Sequence, residues 1–573
     1  MKNFFFFFFF FFFFFFFFSF YFYIIDFNLM VEFYVYPFGV NFFSLIFFFD
    51  WLGLLFVSLI FLISGSVLFY SIGYMWGDSS FVRFFFLVVL FIFSMVMLIF
   101  CPNLFCMILG WDGLGLVSFC LVIFYQNFIS LYSGLVTFFF NRLGDAFLII
   151  GIVFMVNLGS WHYLMYLDLN LIDNLLFYIY FMVFMCSLTK SAQFPFSCWL
   201  PVAMAAPTPV SSLVHSSTLV TSGIYLLIRF NYILNDLFSY FLFFISLLTI
   251  FVSGLSACVE YDLKKIIAFS TLSQLGLMMF SLSLGLVKLS FIHLLIHALF
   301  KSLLFLCSGF YIFNVGGTQD IRYMGSFSNC FPFISSLFMI GLLSLCGFPF
   351  FCGFYSKDFI IEMVILINLG IFKMVFFFFG VGLTMIYSFR LIYYIFFGSG
   401  NYFVLMKFSL NFYMKYSIIF LGVLSIIFGS FIFWMIEDLF IFIIDDSLKN
   451  FSLLMFFFFF FFFFFFFFFF FFFFFFFVYD LVFVFTNYFY YFFGSMFFMN
   501  FFFISFFSNM VFGLVKYFFY IEKGWLEYSV FFGLKYILVS FMNSFFDSFS
   551  YNYFLMMFLG IFFSFIFLFM FIF

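Results

Sequence analysis

Long apolar runs follow one another along the whole chain, and short polar stretches separate them. The runs are about 20 residues long, which is the length that an α-helix needs to cross a bilayer. They lack the alternation of polar and apolar residues that a membrane β-barrel shows. The pattern predicts a first helix from Phe4 to about Asp26. It then predicts twelve further spans, at 48–70, 84–101, 103–125, 128–157, 173–193, 209–230, 237–258, 264–285, 288–312, 331–351, 368–396 and 416–436.

Four other segments complete this outline. Residues 26–41 contain a proline and a glycine among aromatic residues, which favours a short β-rich loop outside the bilayer. Phe456–Phe477 is a run of 22 phenylalanines, about 33 Å long as a helix, so it is predicted to span the bilayer, face lipid and carry no chemistry. Residues 480–550 are aromatic but interrupted by charges, which favours a segment lying along the membrane. A last span at Tyr553–Phe573 brings the total to about 15.

Composition excludes several classes of function. Of the 573 residues, 69% are hydrophobic and 7% are charged, whereas about 25% of a soluble protein is charged. The net charge of −3 comes without a basic patch, so we expect no nucleic acid partner. The ten cysteines form no CxxC pair or Cys/His cluster with metal spacing, which predicts reduced, inert thiols and no iron–sulfur cluster. The 141 phenylalanines against 8 prolines indicate a coding strand rich in T and G, as in an organellar genome.

Ionisable side chains inside the predicted spans are the candidates for function, because each ionised one costs about 2.5–3.5 kcal/mol at the bilayer centre. Asp112 lies among three glycines that allow another helix to approach closely. The alternative is a carboxylate at a helix start near the membrane interface. Asp145 follows Arg142 by three residues, so the two charges can neutralise each other on one helix face. A purely structural ion pair is therefore the alternative for Asp145.

The stretch 186–230 predicts a broken membrane helix that carries a buried, titratable site. Lys190 stands in an apolar run, and four of the chain's prolines follow it, at positions 195, 201, 207 and 209. Prolines free backbone carbonyls, and membrane proteins place ion sites at such breaks. A desolvated lysine exchanges its proton more readily; a lysine that snorkels to the interface is the alternative. His215 lies among serines and threonines, which suits a proton relay, although a satisfied core histidine is the alternative.

Three ionisable residues share one face of a later helix. His293, His297 and Lys301 are spaced i, i+4 and i+8, so they form a stripe that climbs about 12 Å. A metal site would need further Asp, Glu or Cys ligands at matching spacing, and the sequence does not show them. The stripe is therefore predicted to belong to a proton path.

A second broken helix is predicted at LCGFPFFCGFYSKDFI. It repeats the FPF motif with a lysine nearby, Lys357, about 150 residues after the first. Corresponding broken helices in two halves point to inverted repeats with sites near the membrane midplane. The alternative is that Lys357 and Asp358 form an ordinary surface pair.

These motifs together resemble the chain 5 family of NADH:ubiquinone oxidoreductase, a membrane subunit of respiratory complex I that is related to cation/proton antiporters. The matching strings include LGWDGLGLVSFCLVIFYQN, NRLGDAF, DLKKIIAFSTLSQLGLMM, HLLIHALFKSLLFLCSG, QDIRYMGS and FPFFCGFYSKD, and GWLEY fits more weakly. They run in the family's order from about residue 100 to 395.

The resemblance implies an all-α, polytopic membrane protein with two inverted five-helix repeats, discontinuous helices, and a C-terminal lateral helix. It divides the chain into N-terminal membrane helices (1–83), a first antiporter-like repeat (84–230, broken near 190–200), a second (231–396, broken near 345–357), additional helices (397–479), a candidate lateral helix (480–550) and a final membrane helix (551–573). By motif, the proton path comprises Asp112, Asp145, Lys190, His215, His293, His297, Lys301 and Lys357. The family's acid at position 112 is often Glu, so the shorter Asp shifts the carboxylate.

The predicted function is proton translocation in the inner mitochondrial membrane, driven by NADH-to-quinone electron transfer in other subunits. The chain itself is expected to bind no cofactor, with NAD, FMN, iron–sulfur clusters and ubiquinone in partner subunits. The expected partners are other membrane subunits of complex I and the lipid bilayer. Two alternatives remain: a free-standing cation/proton antiporter with the same charged residues, and a structural scaffold without pumping.

Overall fold

A computed structural model describes residues 2–38, 41–158, 161–162, 174–231, 236–367, 370–400, 411–435, 490–548, 557 and 559–564. The chain divides into two compact units, Met1–Met499 and Asn500–Phe573. The predicted spans at Phe456–Phe477 and, apart from a few residues, at Tyr553–Phe573 lie outside the described residues.

The first unit is almost entirely helical. Its longer helices are α1 (Lys2–Ile25), α2 (Trp51–Tyr74), α3 (Phe81–Phe100), α4 (Leu104–Val122), α5 (Phe128–Val156), α6 (Asn174–Lys190), α7 (Thr208–Arg229), α8 (Asp236–Val259), α9 (Leu263–Ser283), α10 (Val287–Asn314), α11 (Pro332–Cys346), α12 (Cys352–Ile367), α13 (Ile371–Ile392) and α14 (Phe412–Met435). π-helical turns at Tyr393–Phe397 extend α13. Among the described residues, eleven helices are long and apolar enough to cross a membrane.

The predicted spans agree with these helices to within a few residues, with one exception. The span predicted at 331–351 is wrong at its end, because α11 stops at Cys346. Gly347 follows with φ of 83°, a left-handed conformation that glycine adopts without strain and that terminates helices. The chain then resumes as α12, on the far side of the break predicted at LCGFPFFCGFYSKDFI, although the predicted spans did not include this helix.

A β-hairpin follows α1 and defines one face of the bundle. Strands β1 (Leu29–Phe38) and β2 (Asn41–Phe49) pair antiparallel, so the β-rich segment is longer than the 26–41 predicted. The Asn103 amide donates to the Ser44 carbonyl at 3.1 Å, and Ser44 contacts His162 at 3.4 Å. The hairpin therefore contacts the α3–α4 and α5–α6 connections, which lie at the same end of the helices. At the opposite end, a β-bridge between Asp262 and Asp320 joins the α8–α9 and α10–α11 connections.

Helices α7, α9 and α10 form the core of the first unit, since nearly every residue in them is buried. Membrane helices pack by close approach at small residues. A Cβ at Gly110 would lie 2.7 Å from the Ser94 carbonyl oxygen and 2.6 Å from the Leu98 nitrogen. The close approach predicted beside Asp112 is thus confirmed, and helix α3 is the neighbour.

One ion pair ties the hairpin side of the bundle together. Asp50 begins α2 as its N-cap, with Gly53 N–H donating to it at 3.2 Å. The Arg229 guanidinium at the end of α7 donates to both Asp50 oxygens, at 2.5 and 2.6 Å. Both side chains are largely buried, and the Tyr225 hydroxyl also contacts Arg229. The pair fixes the end of α7 against the start of α2.

The second unit contains a long helical run. Helix α15 (Met499–Phe519), π-helical turns at Tyr520–Gly533, and α16 (Leu534–Ser548) follow each other without a gap. Of the segment predicted at 480–550, Met499–Ser548 is helical, and 480–489 lies outside the described residues.

Replacing Asp50 with Asn tests the ion pair. Asn still caps a helix, but Arg229 loses its counter-charge in a largely buried place. Breaking such a pair costs about 3–5 kcal/mol, so we expect a clearly lower midpoint of thermal unfolding. The matched control is Asp320→Asn at the more exposed Arg322 pair, where the expected loss is about 0–1 kcal/mol. Equal losses at both sites would contradict the assignment.

Candidate functional site

The first break separates α6 from α7 across residues 191–207. The chain passes through short helical turns at Phe196–Cys198, Trp199–Val202 and Ala203–Ala205, and then becomes extended at Ala206 and Pro207. Prolines in this segment lack the N–H that would continue a helix. The interruption leaves backbone carbonyls inside the bundle free to accept other donors.

Lys190 is the last residue of α6 and is completely buried. Its ammonium group donates to the Trp111 carbonyl oxygen at 2.6 Å and lies 3.7 Å from the centre of the Trp111 ring. A cation over an indole face gains up to about 2 kcal/mol or more when it is desolvated. The burial rules out the alternative of a lysine that snorkels to the membrane interface.

Arg142 on α5 joins the two predicted carboxylates. Its guanidinium contacts Asp112 on α4 at 2.5 Å and Asp145 at 3.2 Å. The i, i+3 pair with Asp145 is therefore confirmed, but Arg142 is shared with Asp112 as well. Asp112 lies midway along α4 rather than at a helix start. Asp145 is buried, whereas the side chains of Asp112 and Arg142 are 38% and 36% exposed on the outside of the bundle.

His215 lies in π-helical turns at Ser211–Thr218, which open the first part of α7. It is buried, and neither ring nitrogen has a hydrogen-bond partner among the described residues. The neighbouring hydroxyls that the sequence suggested as a wet lining donate to carbonyls of their own helix. The oxygens of these hydroxyl groups still have lone pairs that can accept a hydrogen bond. The π-helical turns pack directly against α10.

The predicted stripe on α10 is fully buried. The two ring nitrogens of His293 contact Ser356 on α12 at 2.8 Å and Gln274 on α9 at 3.2 Å. One turn later, His297 has a ring centre 6.4 Å from that of His293. Lys301 donates to the Ser270 hydroxyl of α9 at 2.5 Å. The stripe thus contacts α9 at His293 and Lys301, and His293 also contacts α12.

Lys357 lies in the second turn of α12, just after the second break, and it too is buried. It donates to the carbonyl oxygens of Leu345 and Cys346, both at 3.2 Å, and to the Thr384 hydroxyl at 2.9 Å. Those two carbonyls belong to the end of α11, where the helix dipole favours a cation. An ordinary surface pair of Lys357 with Asp358 is excluded by this burial.

The structure therefore gathers the eight predicted residues into two clusters and one separate histidine. Asp112, Asp145 and Lys190 are close enough to interact electrostatically, together with Arg142. Lys301 interacts in the same way with Lys357, and His293 with both; His297 joins this second cluster through His293 and Lys301. His215 bonds to neither cluster but lies on the element packed against the second.

Several residues in and around these clusters were not among the predicted site residues; all but Lys264 are uncharged, and Lys264 lies within a quoted motif but was not singled out. Trp111 holds Lys190, and the polar partners of the second cluster are Ser270, Gln274, Ser356 and Thr384. Lys264, at the start of α9, is buried and donates to the freed Ala206 carbonyl at 3.1 Å. Uncharged polar residues spaced i, i+3 and i+4 along an apolar helix are the sequence signal that could have identified the uncharged partners.

In the part of the chain that the structure describes, the three lysines of the two clusters donate to neutral oxygens and to no carboxylate. Such a ligand stabilises the ammonium form, yet it leaves no unpaired anion when the proton departs. Among the described residues, no group of three or more His, Cys, Asp or Glu side chains is arranged to hold a metal ion. The arrangement is suited to accepting and releasing protons.

Two broken helices that carry lysines in the interior of an apolar bundle define an antiporter-like membrane protein. Residues 101–384 match the family model described as NADH:quinone oxidoreductase/Mrp antiporter, TM, and residues 36–85 match the N-terminus of NADH-ubiquinone oxidoreductase (complex I) chain 5. The chain belongs to the NADH-ubiquinone oxidoreductase chain 5 family. It is an antiporter-like, multi-pass membrane subunit of that oxidoreductase, as the sequence predicts.

Relatives and solved structures agree with this assignment. NADH-ubiquinone oxidoreductase chain 5 of Anopheles quadrimaculatus is 53% identical over 391 residues, which cover 68% of each chain. That of Aedes aegypti is 54% identical over 391 residues, 68% of this chain and 67% of its own. A chain of the Mrp complex from a Dietzia species superposes with a TM-score of 0.64 at 25% identity, over 74% of this chain and 47% of that one.

Close packing behind Lys190 can be tested at Gly223 of α7. A Cβ there would lie 2.5 Å from the Ser187 carbonyl oxygen and 2.9 Å from the Ser191 nitrogen. Gly223→Ala must therefore displace the end of α6 and Lys190 with it. Overpacking costs about 1–3 kcal/mol, so we expect lower thermal stability of the assembled oxidoreductase.

Gly382→Ala on α13 is the matched control, because nothing lies within 4 Å of its Cβ position. It should leave stability unchanged or raise it by up to about 1 kcal/mol, since Ala favours a helix over Gly. If Gly223→Ala proved as harmless as Gly382→Ala, the packing described behind Lys190 would be wrong.

Proposed function

We propose that this chain translocates protons through its two buried clusters while NADH is oxidised and ubiquinone reduced elsewhere in the enzyme. The residues proposed to carry the protons are Asp112, Asp145, Lys190, His215, His293, His297, Lys301 and Lys357. The two predicted repeats, 84–230 and 231–396, are proposed to supply one broken helix each.

The burial of Lys190, Lys301 and Lys357 among neutral oxygens carries this proposal. An ammonium group in the bilayer costs about 2.5–3.5 kcal/mol, and a hydrogen bond to a charged group returns about 1.5–3 kcal/mol. The charged and neutral forms of these lysines are thus close enough in free energy for a neighbouring charge to decide between them.

Lys301 and Lys357 give the proposed transfer a driving force. Their charges act on each other inside a poorly polarisable bundle, where repulsion between like charges is much stronger than in water. Protonation of one lysine therefore favours release from the other. In the first cluster, a change in the Arg142–Asp112 contact would alter the charge that Lys190 experiences, and His215 would pass the proton toward Lys301.

A neighbouring membrane subunit is the proposed partner at Asp112 and Arg142. These two charged side chains lie midway along their helices and are more than a third exposed on the outside of this chain. Charged groups in membrane helices face protein or water and not lipid. A polar surface of another complex I subunit would cover them, and the lipid bilayer would cover the apolar exterior.

The cofactors and the location follow from the same proposal. NAD, FMN, iron–sulfur clusters and ubiquinone are assigned to partner subunits, and the membrane is assigned as the mitochondrial inner membrane. The animal relatives and the T- and G-rich coding bias support that location. The relatives and the coding bias also favour the oxidoreductase subunit over a free-standing cation/proton antiporter. The match to the Mrp complex does not separate the two, because it concerns the fold that they have in common.

Replacing Lys190 or Lys301 with Met tests the proposal against a scaffold without pumping. Met keeps a long apolar stem but binds no proton. We expect each variant to abolish this chain's contribution to pumping, so that fewer protons are pumped per NADH oxidised. The measurement is the proton-to-electron ratio of the assembled enzyme in sealed vesicles.

Lys373→Met is the control, because Lys373 begins α13 beside the rings of Tyr240 and Phe243, away from both clusters. The proton-to-electron ratio of this variant should equal that of the unmodified enzyme. A normal ratio in both the Lys190 and the Lys301 variants would mean that the chain is a structural scaffold.

A further inference from the structure

Helix α9 begins with two adjacent lysines that have different surroundings. The side chain of Lys265 is 42% exposed and pairs with Asp262 at 2.8 Å. Lys264 is only 4% exposed, and its ammonium group donates to the Ala206 carbonyl oxygen at 3.1 Å. A cation inside an apolar bundle is costly, and the proton path proposed above does not include this one. Its burial therefore points to a separate role.

The carbonyl that Lys264 binds lies at the end of the first break. In a continuous helix the Ala206 oxygen would accept from the N–H of Val210. That N–H donates instead to the Pro207 oxygen at 3.0 Å, and the N–H of Ser211 donates to the same oxygen at 3.2 Å. Ala206 itself is extended, with ψ of 156°. The break thus leaves the Ala206 oxygen without a donor from its own helix, and Lys264 supplies one.

The position of this cation is not explained by the charges around it. Thr208 begins α7, and the dipole of a helix disfavours a cation at its N-terminus. Lys357 differs in this respect, because it binds carbonyls at the C-terminal end of α11. None of the ion pairs found in the described ranges includes Lys264. The freed carbonyl is therefore the group that holds Lys264.

The start of α9 is itself attached to another connection. The Leu263 N–H donates to the Gln319 carbonyl at 2.9 Å, and the Ile321 N–H donates to the Tyr261 carbonyl at 3.0 Å. These bonds join α9 to the α10–α11 connection, and all of these residues belong to the second predicted repeat, 231–396. Lys264 thus reaches from an anchored point of the second predicted repeat to the break in the first.

We propose that Lys264 is a positioning residue that holds the first break in the conformation that proton transfer requires. The broken segment 191–207 connects Lys190 to α7, which carries His215. The hydrogen bond to Ala206 fixes the far end of that segment, and with it the placement of α7 relative to Lys190. Lys264 exchanges no proton in this role. The importance for transfer rests on the proposed function, whereas the hold on the break does not.

Hydrogen–deuterium exchange of the assembled enzyme tests the hold on the break without reference to pumping. Lys264→Met removes the donor and keeps an apolar stem of similar length. The Val210 and Ser211 N–H groups, which bond to Pro207, should then exchange at least about tenfold faster. Losing a hydrogen bond to a charged group shifts an opening equilibrium by about that factor. The measurement follows peptides covering residues 191–215 by mass spectrometry.

The proton-to-electron ratio in sealed vesicles tests the role in transfer. We expect Lys264→Met to lower the ratio toward that of Lys190→Met while NADH oxidation continues. Lys264→Arg should restore both normal exchange and a normal ratio, because arginine donates to a carbonyl and never releases its proton. Lys265→Met is the matched control at the adjacent, exposed lysine, and it should change neither quantity.

Lys264→Gln covers the case in which Lys264→Met fails to assemble. Glutamine keeps a polar N–H group, but its side chain is one bond shorter and stops short of the Ala206 oxygen. The same faster exchange and lower ratio are expected for this variant.

The outcomes separate the positioning role from the function beneath it. Normal exchange in Lys264→Met, or faster exchange with a normal ratio, would overturn the role, and the proton path would stand if Lys190→Met still lowers the ratio. A low ratio in Lys264→Arg despite normal exchange would mean that Lys264 exchanges a proton itself, which also overturns it. If Lys190→Met and Lys301→Met keep a normal ratio, the proposed function fails, and exchange alone decides whether Lys264 holds the break.

Discussion

A lysine inside a bilayer-spanning bundle must find oxygen atoms, and for two of the buried lysines the fold of this chain supplies them by interrupting helices. Lys357 takes the two carbonyls at the end of α11, and Lys264 takes the Ala206 carbonyl at the first break. In a continuous helix those carbonyls would be bonded to N–H groups one turn later. The breaks therefore create the partners that allow these cations to be buried.

The two clusters accommodate buried charges in different ways. The first places two carboxylates and an arginine beside Lys190, so charge balances charge. In the second, the hydrogen bonds of Lys301 and Lys357 go to hydroxyls and carbonyls, and their like charges face each other. A balanced cluster can hold its protonation state, whereas a repulsive one tends to release a proton. The proposed proton movement between the clusters needs both behaviours.

The clusters stay in place because the helices around them approach closely. Glycines stand at the crossings where a side chain would collide with backbone, as at Gly110 against α3 and Gly223 against α6. The Arg229–Asp50 pair then fixes the far end of α7, the helix that carries His215. The phenylalanine-rich α1 is largely exposed, so the longest phenylalanine run among the described residues lies where few side chains are buried.

The membrane class, most helix bounds, the two breaks and the family could be predicted from the sequence, since apolar run length, prolines and charged motifs are local signals. The sequence also pointed to the eight ionisable residues of the proposed path, because a charge in an apolar run is conspicuous, but not to the buried Lys264. The partners of these residues depend on how the helices pack: Trp111 for Lys190, a shared Arg142 for two carboxylates, and Thr384 for Lys357. These contacts join helices distant in the chain through carbonyls and uncharged side chains, which no local pattern distinguishes from ordinary core. The separation of His215 from both clusters was likewise invisible in the sequence, because it depends on how α7 packs and not on which residues surround the histidine along the chain.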